Sequence, residues 1–167
     1  GQQEIRLVQR GNEFVTVLPA GKSVFGLAVD MGSTKLAGYL VDLQSGETIS
    51  RTGLMNPQVV FGDDVVSRIS YANTSPDKHK ELQTTLLNAI HEMAKTLCYE
   101  AGAQPSQIVD VVLAGNTVMQ HLAAGRPVTS LGEAPYTPDM LDAEVISSEE
   151  FGWEFSRNAQ IYMPPNI

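Results

Sequence analysis

The chain has 167 residues, with nineteen Asp and Glu against eleven Lys and Arg for a net charge of -8, and is 43% hydrophobic and 18% charged. That length suits one domain or one lobe of something larger, and it hides about 70% of its unfolded surface without staples. The acidic balance excludes a nucleic-acid backbone as the main partner, which needs clustered cations, but leaves room for a single nucleotide.

Ile5 to Leu18 reads as a short hairpin around Gly11-Asn12, broken by Pro19-Ala20-Gly21. Residues 1–22 are therefore expected to be a linker or an edge strand from a preceding domain. Phe25 to Met31 is a continuous apolar strand, Lys35 to Leu43 a second and Thr48 to Leu54 a third, with Gln44 to Glu47 as the turn between the last two. Asp63 is the expected cap of a short helix through Ala72. Ser75 and Pro76 then open a long helix, along which Leu82, Leu86, Ile90, Met93 and Leu97 make one apolar stripe before Gly102 ends it. Val109 to Ala114 is a strand whose composition implies burial on both sides. Gly115-Asn116-Thr117 turns into a helix closed by Gly125. Residues 127–158 dissolve into proline, serine and acids and read as an irregular insertion, with a helical turn near Ser148 to Phe151. Ala159 to Met163 is the last strand. The order β-β-β-α-β-α-β predicts a mixed sheet with helices packed on its faces.

The lone cysteine, Cys98, provides no disulfide framework, no zinc site and no iron–sulfur cluster. With no signal peptide and no apolar run of about 18 residues, a cytoplasmic location without membrane insertion is expected. Gly1 in place of a methionine and the close on Ile167 read as the cut ends of an expressed fragment.

"VDMGSTK", residues 29–35, is the stretch that raises chemistry. In a hairpin, the amides of Gly32, Ser33 and Thr34 can converge into an anion-binding concavity, and glycine lets backbone approach a phosphate closely. The Ser33 and Thr34 hydroxyls add donors, and Lys35 offers a positive charge. Asp30 would repel phosphate directly, so its useful role is to hold a hydrated Mg²⁺. The plain alternative is an ordinary hairpin that begins with an aspartate.

"VDMGSTKLAGYLVD" resembles the first phosphate loop of the actin, sugar-kinase and heat-shock-chaperone ATPase superfamily, whose lobes share a ribonuclease-H-like core. Together with "NPQVVFGDDVVSRISYA", "DVVLAGNTVMQHL" and "LGEAPYTP", it is similar to the reductive activators of corrinoid proteins, over about residues 24–138. The resemblance implies that residues 23–167 form the first ribonuclease-H-like lobe of an actin-like ATPase domain. It implies ATP and Mg²⁺ as cofactors and a corrinoid protein as partner, returned from Co(II) to Co(I). The electrons would come from a ferredoxin-like [2Fe–2S] domain elsewhere in the parent chain, for which the resemblance allows a homodimer. The isolated chain is expected to bind ATP weakly and to reduce nothing.

By the same resemblance, the position of the catalytic aspartate in hexokinase-like members falls on Asn116. An amide is no base for a hydroxyl proton, but it orients water or contacts phosphate. This disfavours the alternative of a carbohydrate or acyl kinase lobe and favours ATP hydrolysis or binding. Thr117 stands beside it as a further phosphate contact, and the plain reading of either residue is a helix cap. Asn56 and Gln58, in "NPQVVFGDD", are expected in a polar cleft or partner-contact loop. A ribonuclease-H-like nuclease fails for want of an acid at Ala114-Gly115-Asn116. A non-catalytic protein-docking module is the remaining alternative. His79, His91 and His121 have no ligand spacing and read as core-edge packing.

Overall fold

The computed structural model describes residues 4–166. The apolar alternation at the start of the chain folds as a hairpin of its own. Strands β1 (Ile5–Arg10) and β2 (Glu13–Pro19) pair antiparallel around Gly11, whose φ of 58° favours glycine. This is a separate two-stranded sheet, not an edge of the large one. Arg10 anchors it by pairing with Asp110 and donating to the Val109 carbonyl at 2.8 Å. Asn158 adds a bond to the Val15 carbonyl at 2.9 Å.

The large sheet has six strands. β3 (Phe25–Met31), β4 (Lys35–Asp42) and β5 (Thr48–Met55) form the expected antiparallel meander. β6 (Ile108–Gly115) lies parallel to β3, and β8 (Gln160–Met163) parallel to β6. The strand missing from the sequence reading is β7 (Glu144–Ser147), which runs antiparallel to β8 at the edge. Four residues with one acid carry too little alternation to be seen alone, and the ladder with β8 makes them a strand. The order is β5-β4-β3-β6-β8-β7, a ribonuclease-H-like mixed sheet.

Helices α1 (Val65–Ala72), α2 (Pro76–Glu100) and α3 (Thr117–Ala124) contribute the rest of the core, and α4 (Thr129–Gly132) is a single turn inside the insertion. Ser75 caps α2 with Pro76 at its first turn, as the sequence requires. All five residues of the α2 stripe are buried; Leu86, Ile90, Met93 and Leu97 share one core cluster with Leu27, Val29, Met31, Leu36 and Leu40 of the sheet, while Leu82 packs in a smaller cluster with Ile69 and Ala72 of α1. A Cβ on Gly38 would lie 2.3 Å from Met93 Sδ, so glycine there lets the helix sit close to β4. The cap of α1 is Asp64, not Asp63: its Oδ1 accepts from the Ser67 amide at 2.7 Å. That bond holds the Asp64 carboxyl below its usual pKa.

Burial is one-sided. Val112 of β6 is 40% exposed and Tyr162 of β8 41%, so both strands are left open there on the face away from the helices, for β6 contrary to its apolar composition. Asp30 follows the same alternation: Val29 and Met31 face the helices, and Asp30 points to the open side. No helix among the described residues is long and apolar enough to cross a membrane.

Leu86 sits at the centre of the core cluster with no exposed surface. Leu86→Ala is expected to cost about 2–5 kcal/mol through lost transfer energy and a residual cavity. Urea unfolding checks this, and a loss below about 1 kcal/mol would show that α2 is not the principal cover of the sheet.

Candidate phosphate-binding turn

Gly32, Ser33 and Thr34 connect β3 to β4 beyond the last ladder pair, Met31 with Leu36. Their three carbonyls are all taken from behind. Asn56 Nδ2 donates to Gly32 O at 2.9 Å, Arg68 Nη2 to Ser33 O, and the Asn56 amide to Thr34 O at 2.8 Å. Among the described residues, no turn or loop bond uses the N–H groups of Gly32, Ser33 or Thr34. A Cβ on Gly32 would stand 2.4 Å from the Lys35 carbonyl, so only glycine closes this turn without displacing backbone. The turn thus has all three of its carbonyls bound, while its N–H groups stand outside the turn and loop bonds.

Asn56 and Gln58 depart from expectation. Both are fully buried, so they brace the turn from beneath instead of lining an open cleft. Asn56 caps a 3-10 turn, Pro57–Phe61, by accepting from the Gln58 amide at 2.9 Å. Gln58 Nε2 donates to the Leu82 carbonyl of α2 at 2.9 Å. Arg68, on α1, completes the brace and was not singled out from the sequence. Its Nε donates to the Gly62 carbonyl at 3.0 Å, and Nη1 reaches Gln58 Oε1 at 3.5 Å and Met119 Sδ at 3.6 Å. Helical spacing contained the clue: Arg68 stands three residues after Val65 and four before Ala72, on the face that turns inward.

The end of β6 lies alongside. Met31 pairs in register with Gly115, and a Cβ there would come within 2.8 Å of the Met31 carbonyl. This close approach brings the strand-to-helix junction at Asn116 and Thr117 next to the turn. Both junctions stand at the carboxyl ends of adjacent parallel strands, where open α/β sheets take ligands. Asn116 is the cap of α3, its Oδ1 accepting from the Met119 amide at 3.0 Å. Asn116 itself is exposed. Thr117 is the first helical residue, and its carbonyl accepts from His121 Nδ1 at 2.7 Å.

Asp30, Thr34 and Lys35 are exposed around the mouth. Among the described residues, the Asp30 carboxylate takes part in no ion pair or side-chain hydrogen bond with the protein. No group of three or more His, Cys, Asp or Glu converges anywhere among them. Asp30 therefore stands there as a single acid, and a Mg²⁺ held by it would depend on water and phosphate oxygens for the remainder of its shell.

The histidines are structural. His121 is fully buried and its Nε2 accepts from the Asp139 and Met140 amides at 3.1 and 3.0 Å, pinning part of the insertion to α3. His91 stacks on Trp153 at 6.2 Å, and burial lowers its pKa. His79 meets the Arg126 carbonyl at 2.8 Å. Cys98 is buried on α2, and burial pushes its thiol up to about 11.

The sequence model of the RACo middle region matches residues 25–167. A curated protein from Eubacterium limosum, the corrinoid activation enzyme RamQ, is 30% identical over 146 residues, covering 86% of this chain and 25% of that protein. A solved structure of a reductive activator for corrinoid, iron-sulfur protein superposes with a TM-score of 0.84 at 38% identity, covering 89% of this chain and 24% of that one. The chain thus spans about a quarter of the length of these relatives.

Asn56→Ala leaves the Gly32 carbonyl and the Gln58 amide without side-chain partners. It is expected to lower stability by about 1–3 kcal/mol, measured by thermal or chemical unfolding. A neutral result would show that the turn stands without its brace. Cys98 has a folded pKa raised from an ordinary 9.0 to about 11. Its contribution to stability is therefore complete below the unfolded value and fades as pH rises through that interval. Unfolding midpoints of wild type and Cys98→Ala, compared across the interval, should show a decline that the variant lacks; parallel curves would exclude it.

Proposed function

The chain belongs to the RACo middle region family, and on that premise we propose that it is the lobe contributing the first phosphate site of an ATP-dependent reductive activator. The observation that carries this reading is the Gly32–Thr34 turn, whose carbonyls are bound from behind while its N–H groups stay out of turn and loop bonds. Such a turn suits terminal phosphoryl oxygens. Ser33 and Thr34 add hydroxyl donors, Lys35 adds charge from the exposed start of β4, and Asp30 steers Mg²⁺ through its waters.

Asn116 and Thr117 face the same mouth from β6 and α3. An amide cannot remove a proton from an acceptor hydroxyl, so Asn116 orients water or phosphate. That favours ATP binding or hydrolysis over phosphoryl transfer to a sugar or acid. ATP supplies the free energy, which becomes useful only through different affinities for two arrangements of the parent protein. The target is a corrinoid protein in the Co(II) state. It receives one electron from a [2Fe–2S] domain of the parent chain and becomes Co(I).

The experiment uses the full-length protein that contains this chain. Asp30→Ala should reduce magnesium-dependent ATP turnover and ATP-dependent formation of Co(I) by at least about tenfold, with the unfolding midpoint nearly unchanged because Asp30 is an exposed residue. Wild-type rates in this variant would sink the assignment of the site.

A further inference from the structure

Arg68 is fully buried, yet no carboxylate lies within ion-pairing distance of it among the described residues. A guanidinium removed from water and left without a counter-charge is costly unless dipoles answer it. Here the answers are the Gly62 carbonyl, the Ser33 carbonyl and Gln58 Oε1, with Met119 Sδ against Nη1. Asp64 and Asp63 act on it only from a distance, and burial is the larger influence, lowering its pKa. The planar fork does what a lysine cannot, holding Gly62 and Ser33, on two separate loops, in one geometry.

From this arrangement we infer that Arg68 is the positioning residue of the phosphate-binding turn: by gripping the Ser33 carbonyl from beneath, it orients that peptide unit so that its opposite side presents the Thr34 N–H. The buried cation also raises the potential on the turn, which favours an anionic occupant with several charges. This inference rests on the reading of the turn as a phosphate site and adds to it the part that holds its geometry. The substrate contacts Arg68 nowhere, so its effect passes entirely through the turn.

The test measures ATP and AMP affinities of the full-length protein by competition with a fluorescent nucleotide. Arg68→Met keeps the aliphatic stem and removes the fork; Arg68→Lys keeps the charge and loses the fork, and serves where the first variant does not fold. Either is expected to weaken ATP binding by about tenfold while changing AMP binding by less than about twofold, because only the terminal phosphoryls use the turn. Equal losses for both nucleotides would overturn the inference by making Arg68 a general structural residue, and unchanged ATP affinity would overturn it outright. If wild type itself showed no magnesium-dependent preference for ATP over AMP, the phosphate-site reading would fall and this inference with it. Wild-type preference retained in the variants removes only the role of Arg68.

Discussion

The grip of buried polar side chains on the β3–β4 turn is what the rest of this structure depends on. Three consecutive carbonyls, of Gly32, Ser33 and Thr34, accept bonds from Asn56 and Arg68. Without those donors, the turn would carry unpaired acceptors at the edge of the core, and each would cost more than a typical hydrogen bond contributes. Asn56, Gln58 and Arg68 are themselves fully buried, so the network must be satisfied throughout. It is: Asn56 also receives the Gln58 amide, Gln58 reaches α2 at Leu82, and Arg68 reaches Gly62.

A peptide unit has two sides, and committing the carbonyl determines where the N–H points. Holding the Gly32, Ser33 and Thr34 carbonyls therefore fixes the N–H groups of the residues that follow each, Ser33, Thr34 and Lys35. Two glycines make this possible for different reasons. Gly32 permits contact with the Lys35 carbonyl inside the turn, and Gly115 permits the neighbouring strand end to lie against Met31. The parallel pairing of β3 with β6 already puts Asp30 and Asn116 at the same end of the sheet, and Gly115 lets the two strand ends close up there.

The helices shape the site indirectly. α2 covers one face of the sheet, and its buried stripe positions β3 and β4. α1 has a divided role: Ile69 and Ala72 join a small apolar cluster with Leu82, Leu122 and Val128, while Arg68 extends toward the turn. The insertion is tethered at His121, whose ring donates to the Thr117 carbonyl and accepts from two amides, of Asp139 and Met140. That bond pattern links the insertion to the first turn of α3, beside the candidate site.

Periodicity and turn chemistry alone determined the meander, the long amphipathic helix with its Ser75-Pro76 start, the β6-to-α3 junction and the glycine turn at Asp30. These are local properties, because alternation and helical spacing record which side of an element meets the core. Other features needed the folded chain. β7 exists because β8 lies beside it, Asp64 rather than Asp63 caps α1, and Val112 is apolar without being covered on its own face. Asn56 and Gln58 looked like cleft residues and became a brace, and Arg68 emerged as a partner of Ser33, thirty-five positions away. A polar side chain announces that it needs a partner, but which distant carbonyl it finds is decided only when packing brings two loops and a helix together.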